Sequence, residues 1–115
     1  SYCKKLKIDL IITPWDEKSM DFIKKLGIKA VKIASIDANN FHFCDYVASK
    51  KLPTIISSGM CTYEELKKTQ KIFQKYNTPH MFLHCTSAYP TPLEDVIVAI
   101  ILSLFSNVLK KYLRI

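Results

Sequence analysis

The chain has 115 residues, of which 49% are hydrophobic and 23% charged, and it carries a net charge of +7. That length gives one domain or a piece of one, and that apolar content can fill a core, which excludes a disordered chain. Two glycines and five prolines exclude a low-complexity or linker-rich protein.

The first expected element is a buried strand over Lys7–Thr13, short and rich in isoleucine and leucine. Ser1 to Lys5 leads straight into it, with no signal peptide. Pro14 ends the strand, and a helix follows from Asp16 to Leu26. Asp16 can cap it, Met20, Phe22, Ile23 and Leu26 form its apolar stripe, and Gly27 stops it. Ala30–Ala34 is a second strand, and Asn39-Asn40 precedes a short helix over Phe41–Lys50 with Phe43, Tyr46 and Val47 inward. Pro53 opens a third strand, Thr54–Ser57. Thr62 and Glu65 have the spacing of a capping box for a helix running to Tyr76, with Leu66, Ile72 and Phe73 inward. Asn77-Thr78-Pro79 turns into a fourth strand, Met81–His84. Val96–Leu109 is apolar on nearly every face but too short for a membrane span, which needs about 20 residues. It reads as a buried helix or one that seeks a partner surface, and Lys110–Ile115 as its last turn or a frayed tail.

Strand ends near 13, 34, 57 and 84 lie roughly 20 to 27 residues apart, the spacing of βα units with one short helix each. Repeated strand, polar loop and helix builds a parallel α/β protein whose loops converge at the strands' C-terminal ends. Such strands close into a barrel or form an open doubly wound sheet. Four units make about half of an eight-stranded barrel.

The charge does not argue for nucleic acid. Lys24-Lys25, Lys50-Lys51 and Lys67-Lys68 fall on expected helix surfaces as solvated faces, and no basic motif interleaved with aromatics occurs. Cys3, Cys44, Cys61 and Cys85 are widely spaced without a CxxC, which reads as reduced thiols in the cytoplasm.

Several residues at the strand ends can carry chemistry. Lys32 lies between Val31 and Ile33 in an apolar strand, where an unpaired ammonium is costly. Two readings stand: a cation aimed at a phosphate or carboxylate, or a stem that packs while its head reaches water. Ser57-Ser58-Gly59-Met60 joins a strand to a capped helix, as an anion loop or a plain tight turn. In His84-Cys85-Thr86-Ser87-Ala88-Tyr89-Pro90, His84 and Cys85 are adjacent in a strand and point to opposite faces, which disfavours a nucleophile pair. Orientation of a polar substrate by Thr86, Ser87 and Tyr89 is the better reading. Thr13 can be a turn hydroxyl, and Asp37 can hold a sugar hydroxyl or cap the next turn. His42 and His80 have no partners at metal-ligand spacing and are expected on the surface.

Thr13-Pro14-Trp15-Asp16-Glu17, Val31-Lys32-Ile33-Ala34-Ser35, Asp37, Asn40, Ile56-Ser57-Ser58-Gly59-Met60, Leu83 to Pro90 and Glu94-Asp95-Val96 occur in that order. In order and spacing they resemble the sialic acid synthase family, the N-acetylneuraminate synthases and their legionaminate and pseudaminate relatives. The resemblance covers residues 7 to 96. It implies a (β/α)8 TIM barrel, an α/β fold of which about four consecutive βα units are present, so that residues 1–115 are a fragment with a divergent end over 97–115. It implies condensation of phosphoenolpyruvate with an N-acyl-hexosamine, N-acetylmannosamine-like, giving a nonulosonic acid and phosphate. Thr13, Lys32, Ser35, Ser57 and Ser87 would contact phosphoenolpyruvate, Ser58 and Gly59 would shape the phosphate loop, and Asp37 and Tyr89 would face the amino sugar. No catalytic group is assigned.

The family's divalent metal, manganese or magnesium, would activate the sugar aldehyde, but its two histidine ligands belong to strands beyond residue 96, so the fragment is expected to be inactive alone. Also absent are an upstream phosphoenolpyruvate-binding lysine and the C-terminal antifreeze-like domain that reaches into the partner subunit of a homodimer. Ile36 stands where the family has glycine, stiffening the loop that carries Asp37. Two alternatives stay open: a half-barrel binding or assembly module, and another phosphate-handling barrel aldolase marked by Schiff-base chemistry at Lys32.

Overall fold

The computed structural model describes residues 2–93, so Val96–Leu109 and the basic end lie outside the described residues. Helix α1 (Tyr2–Lys5), strand β1 (Ile11–Ile12), α2 (Glu17–Lys25), β2 (Ala30–Ile33), a 3₁₀ turn (Ser35–Asp37), α3 (Phe41–Ser49), β3 (Thr54–Ser57), α4 (Tyr63–Lys75) and β4 (His80–Leu83) follow in that order.

The four strands are parallel and lie side by side in sequence order, β1-β2-β3-β4. A doubly wound sheet would reverse direction at a switch point. Here the order never reverses, and right-handed crossovers then put the crossover helices α2, α3 and α4 on one face. Residues alternate accordingly. Val31 and Thr54 share one row, and Ile33, Ile56 and Phe82 the next, all buried beneath the helices. Lys32, Ile55 and Met81 share a row on the opposite face, followed by Ser57 and Leu83. Among the described residues no crossover helix covers that face, and Ile11, Met81 and Leu83 are exposed on it. A parallel sheet with sequential order and one bare face is an arc of a (β/α)8 barrel, the bare face being the side that lines its interior.

Helix starts follow the expected caps. Ser19 N–H donates to Asp16 Oδ1 at 2.6 Å while Asp16 N–H donates to Ser19 Oγ at 3.0 Å, closing a capping box. Thr62 and Glu65 form the expected box at α4. Neighbouring helices are joined by a repeated device. The Asp21 carboxylate of α2 receives Tyr46 Oη at 2.8 Å and Lys50 Nζ at 2.7 Å. The Asp45 carboxylate of α3 receives Tyr76 Oη at 2.8 Å and Lys75 Nζ at 3.0 Å. Lysine hydrogen bonding lowers the Asp21 pKa first, then tyrosine; at Asp45 Tyr76 leads and Lys75 follows.

Several expectations are corrected. The strand expected over Lys7–Thr13 shrinks to Ile11–Ile12, because only these two residues pair with β2. Residues 8–10 before it form no regular element, and Lys7, with φ of 56°, turns the chain out of α1. In α2 Met20 and Ile23 are buried, but Phe22 and Leu26 are exposed. A helix of nine residues packed against the sheet and one side of α3 buries a narrow stripe, and Phe22 falls outside it. Lys50 is not a solvated lysine, since the Asp21 and Tyr46 contacts leave its side chain only 20% exposed.

His80 is not on the surface either. It shares the core-facing row of Val31 and Thr54, with its ring 5.2 Å from that of Phe73 and its Nδ1–H donating to the Thr78 carbonyl at 2.9 Å. Burial holds its pKa below the ordinary 6.5, against the smaller opposing effect of that hydrogen bond. The unfolded chain therefore binds a proton first as pH falls, and stability present above 6.5 is lost through the lowered folded value. Thermal unfolding should shift to lower temperature between about pH 7 and pH 5, and His80→Phe should flatten that slope. An unchanged slope in the variant would remove His80 as its source.

Candidate functional site at the C-terminal rim of the sheet

The loops after β2, β3 and β4 meet at the strands' C-terminal ends, and Gly59 is where they are tied together. Its N–H donates to Ser35 Oγ at 3.2 Å, and its carbonyl accepts from Ser87 Oγ at 3.1 Å. A Cβ added to Gly59 would stand 2.9 Å from the Cys85 carbonyl oxygen and 3.1 Å from the Cys85 Cβ. The glycine is thus required by the close approach of the β4 loop. Ser58 fixes the same junction: its N–H and its hydroxyl both donate to the Leu83 carbonyl, at 3.0 and 2.9 Å.

These bonds decide what each hydroxyl can still do. Ser35 Oγ accepts from Gly59, so its own hydrogen remains available to a ligand. Ser87 has spent its hydrogen on Gly59 and can only accept until that bond opens. Ser58 is committed to Leu83 and acts as a brace of the loop.

Lys32 and Ser57 belong to the bare face, diagonal neighbours across the β2–β3 ladder. Ser57 is 3% exposed. Lys32 is half-buried, and among the described residues its ammonium has no hydrogen bond or ion pair. Thr13 is half-buried at the end of β1 beside the fully buried Pro14. Tyr89, 98% exposed, projects into solvent.

The Ser35–Asp37 turn carries a buried carboxylate oxygen, Asp37 Oδ2, without a hydrogen-bond partner. His84 Nε2 is buried and unpartnered in the same way. Each such atom costs about 1–3 kcal/mol unless something fills its hydrogen-bonding capacity. A polar ligand at this rim would do so. Sequence reasoning left His84 without a role; the only signal for it was a polar side chain following the apolar β4 run.

Cys44 is fully buried, and its pKa is pushed up to about 12 by that burial, then by the Asp37 carboxylate and by Cys61. Burial also raises the Cys61 pKa, with Glu65 second. Both are protonated donors, Cys44 Sγ to the Asp37 carbonyl at 3.4 Å and Cys61 Sγ to the Ser35 carbonyl at 3.6 Å. Neither is a thiolate nucleophile. Among the described residues no group of three or more His, Cys, Asp or Glu side chains is arranged to hold a metal. Gly59→Ala should destabilise the fold by about 1–3 kcal/mol, read as a lower urea midpoint. An unchanged midpoint would mean that the Gly59–Cys85 approach constrains nothing.

The chain resembles proteins of known activity. It is 43% identical over 93 residues to the pseudaminic acid synthase of Campylobacter jejuni, covering 80% of this chain and 27% of that protein. It is 32% identical over 112 residues to the N-acetylneuraminate-9-phosphate synthase of Drosophila melanogaster, covering 94% of this chain and 30% of the other. Its fold matches a solved N-acetylneuraminic acid synthetase from Leptospira borgpetersenii with a TM-score of 0.82 and 32% identity, over 90% of this chain and 36% of that one. The chain thus spans about a third or less of the length of these relatives. The NeuB family model matches residues 1–110. With its strand order, its bare sheet face and these matches, the chain belongs to the NeuB family, whose members are synthases of sialic acid and related nonulosonic acids.

Proposed function

We propose that this chain forms the phosphoenolpyruvate-binding arc of a nonulosonic acid synthase. That enzyme condenses phosphoenolpyruvate with an N-acyl-hexosamine and releases phosphate. The observation that carries this reading is Lys32. It is a partly covered cation on the sheet face that lines the barrel, with no anion beside it among the described residues. A lysine so placed gains most from a bound phosphate or carboxylate.

The neighbouring groups suit the same ligand. Ser35 keeps a hydrogen to donate, Ser57 lies diagonal to Lys32, and Thr13 flanks the rim from β1. Asp37 Oδ2 is an acceptor awaiting a donor, which a sugar hydroxyl or amide N–H supplies. Ser87 would join the anion contacts once its hydroxyl releases the Gly59 carbonyl. The solved Leptospira relative holds citrate, a polycarboxylate, in its crystal.

In the condensation, C3 of phosphoenolpyruvate forms the new bond to the sugar's aldehyde carbon. Water supplies the oxygen left at C2, and phosphate departs. Lys32 and Ser35 hold the anionic end so that C3 faces the aldehyde, and the Gly59 N–H keeps the Ser35 hydroxyl in place. A divalent ion, held by residues outside those described, would polarise the aldehyde. Free cysteines at 3, 44, 61 and 85 fit a reducing cytoplasm.

The test is phosphate release by the full-length protein from phosphoenolpyruvate and N-acetylmannosamine with manganese. Lys32→Ala should lower kcat/KM about 10- to 100-fold, through a higher KM for phosphoenolpyruvate and little change in that for the sugar. Unchanged phosphoenolpyruvate kinetics in a folded variant would sink the assignment.

A further inference from the structure

A threonine in the apolar stripe of a core helix calls for a physical reason. Thr69 stands in α4 between Leu66 and Phe73, and all three are buried. Valine would fill the same space without bringing a hydroxyl out of water. Helical threonine ordinarily bonds back to its own preceding turn. Thr69 instead donates to the carbonyl of Ala38, 31 residues away, at 2.6 Å. Ala38 is the C-terminal cap of the Ser35–Asp37 turn and is itself fully buried.

The same turn is gripped at other carbonyls. Cys44 Sγ donates to the Asp37 carbonyl at 3.4 Å and lies 3.7 Å from that of Ala38. Cys61 Sγ donates to the Ser35 carbonyl at 3.6 Å. Side chains from α3, α4 and the β3–α4 loop thus converge on the main chain of one short turn, while the Asp37 carboxylate it presents keeps Oδ2 unpartnered.

We propose that Thr69, assisted by Cys44, is a positioning residue: it fixes the Ser35–Asp37 turn from below so that the Asp37 carboxylate stands ready for the N-acyl-hexosamine. The inference deepens the function proposed above and rests on it for the identity of the ligand, whereas the gripping of the turn stands on geometry alone. Thr69 touches no substrate. Its hydroxyl sets where Asp37 is, and removing it lets the turn shift while the helix still packs.

The experiment uses the full-length protein with Thr69→Val, Thr69→Ser and Asp37→Asn, and it reads two quantities. Amide hydrogen exchange at Ala38 and Asn40, which donate to the Ser35 and Asp37 carbonyls, needs no turnover. It should quicken about tenfold in Thr69→Val, return in Thr69→Ser, and leave β3 and β4 unchanged. The KM for N-acetylmannosamine should rise about tenfold in Thr69→Val with that for phosphoenolpyruvate within about twofold, and Thr69→Ser should restore it. Unchanged exchange, or exchange quickened equally throughout the sheet, overturns the positioning role. If Asp37→Asn raises the sugar KM and Thr69→Val does not, the inference alone fails. If Asp37→Asn leaves the sugar KM unchanged, or no condensation occurs, the functional reading fails, while the exchange result still decides whether Thr69 holds the turn.

Discussion

Strand order is the constraint from which the rest follows. Because β1 to β4 pair in sequence order and in parallel, each crossover returns over the same face. One face of the sheet is buried under α2, α3 and α4, and the other is left to face a barrel interior. All C-terminal strand ends then open onto one rim, so the loops after β2, β3 and β4 must share a small volume. Residues 24 to 28 positions apart in sequence become hydrogen-bonded neighbours there: Ser35 with Gly59, and Gly59 with Ser87.

That crowding explains why the rim is polar and yet braced. Ser58 and Gly59 spend their donors on the neighbouring loops, which closes the junction and leaves Ser35 with a free hydrogen. The buried polar atoms without partners, Asp37 Oδ2 and His84 Nε2, lie on the loops at this end. The helix layer works to a different end. There the carboxylates of Asp21 and Asp45 each take a tyrosine and a lysine from the next helix, holding adjacent helices side by side. The outer side chains thus latch neighbouring helices, while the rim side chains tie the loops together.

Much of this was legible in the sequence because it is local. Capping residues at Asp16 and Thr62, the strands Ala30–Ile33 and Thr54–Ser57, and the polar cluster following each run depend on neighbours along the chain. The motifs at Ser57–Met60 and His84–Pro90 pointed to the family. What escaped depended on distant partners. The short β1 is set by where β2 stops pairing, not by the isoleucines of residues 8–12. Phe22 fits a helical stripe but lies beyond the sheet's reach. His80 looked polar and therefore external, yet its row in the sheet faces Phe73. Nothing local to α4 marks Thr69, because only the path of the chain 31 residues earlier gives its hydroxyl a partner.

The proposed function puts the anionic substrate on the bare face around Lys32. A crystal structure of the full-length protein soaked with phosphoenolpyruvate tests it directly. A phosphate or carboxylate oxygen is expected about 3 Å from Lys32 Nζ and within reach of the Ser35 hydroxyl, with the Gly59 N–H still on Ser35 Oγ. Phosphoenolpyruvate bound elsewhere in the barrel, with Lys32 turned to solvent, would contradict it.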